Sequence, residues 1–404
     1  MQIYLVGGAV RDKLLGLETK DRDWVIVGAA PQDLRDLGYQ QVGQDFPVFI
    51  NPDSHDEYAM ARTERKTGPG YKGFVINSSP DVTLEEDLLR RDLTINAIAM
   101  DETGRLIDPF GGQSDIKARV LRHVSAAFVE DPLRVLRVAR FAARFAHLGF
   151  RVAKETRELM RSISSSGELS HLVPERIWKE LEMALTSQTP SIFIKVLREC
   201  DALAAILPEV NNLFGLQRAV KYHCEVDVGL RTLLCLDQTR ELTDDSVVLY
   251  ATLVHDVDEG LTDQDKRPLH VNHETAAPNL LDQIESRLRL PREHAQLSRL
   301  VCEHHSKLQR VRELKPPAVL NLLESIDAFR RPERMDKFLL ACEVHAHGRT
   351  ALKTRDYLKT LLLAASAIDS RAVLAASRAA PKKAIFEARL SSITTTIESL
   401  NYDS

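Results

Sequence analysis

The first third of the chain contains short apolar runs that stop at glycine or proline. Three such runs occupy residues 3–6, 24–27 and 48–50. Short apolar runs closed by turn residues are typical of strands. We expect further strands over 93–100 and 105–107, and a helix over 31–37. The pattern therefore predicts a mixed α/β region over residues 1–112.

From residue 113 onward, apolar positions recur every three or four residues, which predicts helices. The clearest stretches are 131–148, 155–162, 174–185 and 192–203. Breaks are expected around 213–220, 258–268 and 315–317. The predicted fold class is α+β, with a small α/β head followed by a long all-helical part. We divide the helical part into 113–220, 221–330 and 331–404.

Composition narrows the class of protein. Of the 404 residues, 44% are hydrophobic and 28% charged, as in ordinary globular proteins. A formal charge of −4 excludes a uniformly basic, nucleic-acid-coating protein but allows a local basic patch. Five cysteines without a CxxC pair argue against a disulfide framework and favour a reducing compartment. With no long apolar run and no signal-peptide pattern, we expect a soluble cytoplasmic protein without a membrane segment.

The first candidate site is the turn after residues 3–6. Gly7 and Gly8 allow the backbone to approach a ligand closely, and a helix start offers free N–H groups to a phosphate. Arg11 follows one turn later and adds a planar cation. Arg91, in an Arg-Arg-Asp segment before an apolar run, could bind the same anion. A tight turn with a solvated arginine and a surface ion pair are the alternatives.

The second candidate is a pair of carboxylates. Asp21 and Asp23 precede the run over 24–27, and residues two apart on a strand share a face. Two neighbouring carboxylates repel each other unless a cation lies between them. Oxygen ligands of this kind suit Mg²⁺, which takes its other ligands from water and phosphates. Two solvated carboxylates at the start of a strand are the alternative.

The third candidate is an arginine-bearing helix that starts near Asp131 and Pro132, a capping residue and a first-turn proline. Arginines at 134, 137, 140 and 144 fall on one stripe of it, and the remaining positions are largely apolar. Buried guanidinium groups need an anionic partner, because uncompensated burial is costly. We therefore expect an anionic partner beside this helix, with a solvated charged face as the alternative.

The helical part carries a scattered set of metal-ligand residue types. Imidazole together with carboxylate suits a transition metal such as Ni²⁺, Mn²⁺ or Zn²⁺. Ordinary core histidines are the alternative. The candidates are His223, His255, Asp256, His273, His305 and Asp327.

Six motifs occur in an order that resembles the bacterial class II CCA-adding tRNA nucleotidyltransferases of the polymerase-β superfamily. They span residues 3 to 185 and are more specific together than singly. The motifs are GGAVRD (7–12), DRD (21–23), RRDLTINA (90–97), DPFGG (108–112), EDPLRVLRVAR (130–140) and PERIWKE (174–180).

The resemblance implies template-independent addition and repair of the 3′-terminal CCA of tRNA from CTP and ATP, with release of pyrophosphate. It implies that Asp21 and Asp23 hold two Mg²⁺ ions that activate the tRNA 3′-hydroxyl and steady the pyrophosphate. It further implies a polymerase-β-type head over 1–112 and a nucleotide-selecting neck over 113–220. The residues implied to contact or shape the nucleotide site are Gly8, Arg11, Arg91, Asp92, Asn96, Asp131, Arg134, Arg137 and Arg140.

Residues 221–330 resemble the HD phosphohydrolase domain of the longer CCA enzymes. This resemblance implies 2′-nucleotidase, 2′,3′-cyclic phosphodiesterase and phosphatase activity with a transition metal such as Ni²⁺. The chain departs from the usual pattern after His255-Asp256: residues 257–260 are VDEG, where many HD domains place Gly-Lys after one residue. The departure removes a phosphate-facing lysine.

Two other functions stay open at this point. A bacterial poly(A) polymerase would share the head, and a non-catalytic RNA-binding protein would share the fold. Residues 331–404 carry basic side chains that could contact tRNA through its phosphates. We expect a monomer or a homodimer.

Overall fold

The computed structural model describes residues 1–19, 21–42, 48–66, 68, 74–216, 227–261, 273–344, 349–376 and 381–402. The chain divides into two compact units, Met1–Ile206 and Leu207–Ser404. The finer division into four parts stays a prediction. Among the described residues, no helix is both long and apolar enough to cross a membrane.

The first unit begins with a mixed sheet that confirms the α/β head. The strands, numbered β1 to β11 along the chain, are Gln2–Val6, Asp23–Val27, Gln40–Val42, Val48–Ile50, Glu57–Met60, Thr63–Lys66, Phe74–Asn77, Ala99–Met100, Leu106–Ile107, Val120–Leu121 and Arg151–Val152. Seven of them form one sheet in the order β3-β4-β5-β2-β1-β8-β9. β6 pairs with β7, and β10 with β11, in two small separate sheets.

Alternation along β2 gives this sheet two buried faces. Val25 joins Val6 and Leu88 in one apolar cluster. Ile26, the next residue, joins Leu34 and Phe49 in the cluster on the opposite face. Side chains on a strand alternate between faces, so Asp23 lies on the same face as Val25.

Helices complete the first unit. They are α1 Gly8–Leu15, α2 Pro31–Asp36, α3 Leu84–Leu89, α4 Gly112–Ala118, α5 Leu133–Phe145, α6 Lys154–Ser165, α7 Pro174–Leu185, α8 Ser191–Glu199 and α9 Leu203–Ile206. α5 is almost entirely buried and packs against α7 and α8. The predicted arginine helix is therefore the centre of the helical part of this unit.

The second unit is helical over its described residues. Its helices are α10 Pro208–Asn211, α11 Val228–Leu242, α12 Ser246–Leu253, α13 His273–Leu288, α14 Arg292–Gln309, α15 Pro316–Ser325, α16 Pro332–Glu343, α17 Arg349–Ser366, α18 Ser370–Ala376 and α19 Pro381–Tyr402. α12 is fully buried and packs against α11, α14 and α16. Its apolar core is built from residues such as Val248, Val301 and Phe338.

Two local predictions differ from the structure. Only Ala99–Met100 of the stretch 93–100 is a strand. The residues before it form a 3-10 turn, Thr94–Asn96, in which the Thr94 hydroxyl donates to Asp115 at 2.7 Å. α1 starts at Gly8 rather than near Val10. The break expected around 315–317 is present between α14 and α15, and α15 starts at Pro316 because a proline in the first turn leaves no helical hydrogen bond unmade.

Candidate functional site

The predicted carboxylate pair lies beside the Gly7-Gly8 turn. In the β1–β2 register Asp23 is opposite Val6, the residue before that turn. Partial desolvation raises the pKa of Asp23, although the residue is largely exposed, and Asp21 raises it further while Arg91 lowers it. The charges of Asp21 and Asp23 are therefore close enough to interact, as expected for two residues with this spacing. Their mutual repulsion and their oxygen donors fit a divalent cation such as Mg²⁺.

The turn itself is shaped around Arg91. Gly7 has φ +67°, and a Cβ there would lie 2.8 Å from Arg91 Nη1. Arg91 also donates to Asp87 Oδ2 at 3.1 Å, so its guanidinium is fixed between α3 and the turn. A glycine is required at position 7 both for the backbone conformation and for this close approach. Gly8 begins α1, and a Cβ on it would lie 3.4 Å from Arg11 Nη2.

Arg11 is placed differently from the phosphate-facing position expected of it. Its side chain is 3% exposed, and its guanidinium carbon lies 5.1 and 5.0 Å from the ring centres of Phe141 and Phe145. Nε donates to Asp12 at 2.8 Å, and Nη1 donates to Asn96 Oδ1 at 2.5 Å. Burial lowers the pKa of Arg11, and Asp12 opposes that effect. Arg11 therefore stabilises the turn from its buried side.

Asp92 connects the head to α5. Its carboxylate is 5% exposed and accepts from Arg137 Nε at 2.7 Å and from Asn96 Nδ2 at 2.9 Å. Burial alone would raise the pKa of Asp92, but Arg137 and these hydrogen bonds hold it well below its usual range. The same pair raises the pKa of Arg137, with Asp92 as the main cause. Asp92 and Arg137 thus form a strong ion pair.

The other arginines of the α5 stripe are also compensated by this chain. Arg140 donates to Glu180 Oε2 at 2.5 Å, and Arg144 donates to Asp12 Oδ2 at 2.9 Å. The expected anionic partners of Arg137, Arg140 and Arg144 are therefore carboxylates of this chain. The carboxylate partners lie on α1, on α7 and, for Asp92, in the segment that follows α3. α5 therefore needs no acids of its own to balance these arginines.

The start of α5 holds Asp131 and Arg134. The Asp131 carboxylate caps the helix by accepting from Leu133 N at 3.0 Å, and its other oxygen is 3.4 Å from Arg176 Nη2. Arg134 donates to the carbonyl oxygens of Ala127 and Arg90 at 2.7 and 2.5 Å. Burial lowers the pKa of Arg134. These two side chains offer acceptors and donors side by side, next to the Arg90-Arg91-Asp92 segment.

The structure thus joins most of the predicted nucleotide residues through shared hydrogen bonds. From Arg144 the chain of polar contacts runs through side chains of α1, the Thr94–Asn96 turn, α5 and α7. In order, its members are Arg144, Asp12, Arg11, Asn96, Asp92, Arg137, Glu180 and Arg140, with Arg137 3.9 Å from Glu180. Asp12 and Glu180 were not predicted as site residues, although both lie within the quoted motifs.

In the second unit, three of the predicted metal-ligand residues come together. One ligand atom each from His255, Asp256 and His305 lies within 4.8 Å of the other two, and all three residues are buried. His255 Nε2 is 2.9 Å from Asp256 Oδ2, and His305 Nε2 is 3.3 Å from Asp256 Oδ1. Burial lowers the pKa of His305, but Asp256, the Val301 carbonyl and Asp258 together outweigh burial, and the net shift is upward. The imidazole and carboxylate donors fit a transition metal. A positively charged Arg231 only 4.0 Å from Asp256 Oδ2 does not fit a metal site.

The remaining predicted ligands are not in this group. Asp327 lies in the turn after α15 and accepts from Arg330 Nε at 2.6 Å and Nη2 at 3.0 Å, which lowers its pKa. His223 and the side chain of His273 lie outside the described residues. In the region 331–404, Lys337 and Lys359 are paired with carboxylates, so these two side chains are not open to an RNA phosphate without exchange of partners.

Comparisons with known proteins identify the domains and the fold of this chain. Residues 3–122 match the poly(A) polymerase head domain, and residues 149–214 match the probable RNA and SrmB-binding site of polymerase A. A solved complex of a CCA-adding enzyme with CTP aligns with a TM-score of 0.67 at 20% identity, covering 97% of this chain and 87% of that one. A Thermotoga maritima CCA-adding enzyme complexed with tRNA aligns with a TM-score of 0.59 at 21% identity, covering 90% and 78%. These structures share the fold.

Sequence similarity goes further than fold. The multifunctional CCA protein of Thioalkalivibrio sulfidiphilus (strain HL-EbGR7) is 56% identical over 357 residues, which is 88% of this chain and 87% of that protein. The match extends across both units. This chain contains the Gly7-Gly8 turn, the carboxylate pair and the arginine helix described above. The chain therefore belongs to the multifunctional CCA protein family.

Proposed function

We propose that this protein adds and repairs the 3′-terminal CCA of tRNA without a nucleic-acid template, using CTP and then ATP and releasing pyrophosphate. The observation that carries the proposal is the extent of identity to a multifunctional CCA protein, together with the retained pair Asp21 and Asp23. Solved proteins of the same fold hold CTP, ATP or tRNA, which supports these three partners.

Asp21 and Asp23 would hold Mg²⁺. When bound, this ion stabilises the charge of the triphosphate and makes the tRNA 3′-hydroxyl easier to deprotonate. Arg91, fixed against Gly7 by Asp87, has a charge that acts on Asp23 and would bind the triphosphate. Arg11 would act indirectly, because its buried contacts hold the Gly7-Gly8 turn in place.

Selection of the nucleotide would fall to Asp131 and Arg134. A carboxylate accepts and a guanidinium donates, so the pair can match the Watson–Crick edges of cytosine and adenine. UTP and GTP present the opposite pattern of donors and acceptors. Arg137 and Arg140, held by Asp92 and Glu180, would set the position of α5 and line the nucleotide site.

The test is stepwise incorporation into tRNA that lacks CCA. With CTP alone we expect addition of two nucleotides, and with CTP and ATP addition of three. A poly(A) polymerase would ignore CTP and extend with many A residues, and a non-catalytic RNA-binding protein would add nothing. Asp21→Asn should lower the rate by at least about 10²-fold, since it removes charge from the reacting centre, whereas Glu18→Gln, an exposed acid nearby, should not.

The resemblance to HD domains by itself predicts hydrolysis of 2′-phosphates and 2′,3′-cyclic phosphates in the second unit, with Ni²⁺ or a similar metal. The grouping of His255, Asp256 and His305 is the observation in its favour. The position of Arg231 opposes it. Contacts between residues 331–404 and tRNA, a cytoplasmic location and a monomeric or homodimeric state also stay predictions.

A further inference from the structure

The second unit contains a buried cation next to the three histidine and aspartate side chains. Arg231 lies on α11 and its side chain is 8% exposed. Its Nη1 is 4.0 Å from Asp256 Oδ2 and has no hydrogen-bond partner among the described residues. Asp256 is 2% exposed. A buried guanidinium this close to a buried carboxylate compensates its charge.

The orientation of the two imidazoles does not by itself decide what the cluster binds. His255 Nδ1 faces the Thr252 carbonyl at 2.7 Å, and His305 Nδ1 faces the Val301 carbonyl at 3.0 Å. Metal-ligating histidines are often anchored in this way. Both Nε2 atoms then face Asp256, and His305 Nε2 also lies 3.1 Å from the Ser306 hydroxyl, so protons on the rings fit this geometry as well as a metal ion does.

Arg231 decides between these alternatives. A divalent ion bound to Asp256 would lie next to a permanent positive charge in a buried site, where the repulsion is poorly screened. Arginine cannot relieve that repulsion by losing its proton. Moreover, the carboxylate would have to share its charge between the ion and the guanidinium.

The residues after Asp256 add a second obstacle, this time to a phosphate substrate. Asp258 is 8% exposed, and its charge acts on both His305 and Cys302. Glu259 follows it. The chain thus places two acids where a phosphohydrolase of this type needs a cation to bind its anionic substrate.

We infer that Arg231 serves as the built-in counter-ion of the His255–Asp256–His305 cluster, so that the cluster excludes divalent metal and holds α11, α12 and α14 together as an ion cluster. The metal-dependent phosphohydrolase activity is consequently absent from this chain. Neither Arg231 nor its partners take part in the proposed nucleotide addition, so the two conclusions can fail separately.

The first experiment measures metal binding in the full-length protein by calorimetry with Ni²⁺ and by visible absorption with Co²⁺. Asp21→Asn/Asp23→Asn is the common background, so that ions at the head do not contribute. On this background the wild-type cluster should show no binding below about 1 mM. Arg231→His should bind one ion at least about 100-fold more tightly, because a third neutral ligand replaces a charge.

Matched variants keep this test decisive. Arg240→His places the same substitution on the same helix away from the cluster and should leave metal binding unchanged. If the histidine variant does not fold, Arg231→Met takes its place: it removes the charge at similar volume and should also strengthen metal binding. Stoichiometric Ni²⁺ binding at micromolar concentration with Arg231 present, abolished by Asp256→Asn, would overturn the inference.

The second experiment follows release of phosphate from 2′-AMP with and without Ni²⁺. We expect no Ni²⁺-dependent release with Arg231 present. Arg231→His combined with Asp258→Gly and Glu259→Lys should gain Ni²⁺-dependent release, since these changes supply both a ligand and a phosphate-facing cation. Ni²⁺-dependent release by the unchanged protein that disappears with Asp256→Asn would contradict the inference.

Discussion

Asp92 shows how one buried carboxylate fixes the position of Arg137, a residue predicted to bind the nucleotide. It binds Arg137 and Asn96 at once, and its pKa lies well below its usual range. Most of the α5 arginines have a comparable carboxylate partner. At the scale of single residues, the site is therefore a set of compensated charges, each fixed in direction before a substrate arrives.

The low pKa of Asp92 predicts a pH-dependent stability. A carboxylate whose folded pKa is depressed stabilises the fold above its unfolded value of about 4 and loses that contribution as the pH falls. Asp92→Asn should reduce the free energy of unfolding by about 2–3 kcal/mol at pH 7, at the low end for a broken buried pair because Arg137 is partly exposed. The deficit relative to wild type should shrink between pH 5 and pH 2. Urea titrations across this range test it, with the exposed Asp53→Asn as the control; a deficit that does not change with pH would contradict it.

Gly7→Ala tests the close approach of Arg91. The new methyl group would lie 2.8 Å from Arg91 Nη1 and would add the cost of a backbone with φ +67° and ψ −127°, about 1–3 kcal/mol. Gly38→Ala also places a side chain at a positive φ, +85°, but meets nothing within 4 Å. We expect both variants to lose stability and only Gly7→Ala to raise the KM for CTP and ATP. Equal KM values in the two variants would show that Arg91 does not position the triphosphate.

At the scale of elements, α5 and α7 are connected by Glu180. Its two carboxylate oxygens face Arg140 at 2.5 Å and Arg137 at 3.9 Å. α7 therefore fixes two arginines that are one turn apart on α5. Glu180 is a positioning residue for the nucleotide site, because it touches the arginines and not the reacting atoms.

Glu180→Gln should weaken nucleotide binding and also lower the stability of the fold, because Arg140 loses its buried charged partner. The amide keeps the shape of the carboxylate but removes its charge, so Arg140 and Arg137 become less well fixed. We expect KM for CTP and ATP to rise roughly tenfold, about 1.4 kcal/mol, with a smaller change in kcat. Glu180→Asp should recover part of the loss. A variant that lowers only the melting temperature would indicate a merely structural role; Glu158→Gln, on the exposed side of α6, is the control.

The elements were largely predictable from the sequence, whereas the partners of the charged groups were not. Strand and helix positions follow from periodicity and turn residues, so β1, β2, α5 and α7 were expected near their observed bounds. The pairing of Arg144 with Asp12 joins residues more than a hundred positions apart, and no local pattern records it. Arg11 was expected to face a phosphate because the sequence around it shows only the glycine turn. The rings of Phe141 and Phe145, which bury Arg11, are also more than a hundred positions away, so no local pattern reveals them. Arg231 gave no signal, since an arginine within a helical pattern is usually solvated.

At the scale of the whole molecule, the two units treat positive charge in different ways. On our proposals, Asp21 and Asp23 of the head take a cation from solution, whereas the second unit supplies its own through Arg231. We expect EDTA to stop nucleotide addition. In the Asp21→Asn/Asp23→Asn variant, whose head does not hold the ion, EDTA should shift the melting temperature by less than about 1 °C, because a ligand stabilises only the state that binds it and the second unit holds no metal. Scanning calorimetry with EDTA and with Ni²⁺ checks this. A fall of several degrees in EDTA that is absent from Asp256→Asn would show that a metal supports the second unit.

The mutual compensation of charges along α5 has a consequence for protein engineering. Replacing Arg137 or Arg140 alone leaves a buried acid behind, so a library of single changes will lose many candidates to misfolding before their substrate choice is ever assayed. Altering the accepted nucleotide should therefore need exchanges made two at a time, with Asp92 or Glu180 varied alongside its arginine. Selection from such paired libraries would search combinations that stepwise evolution rarely crosses.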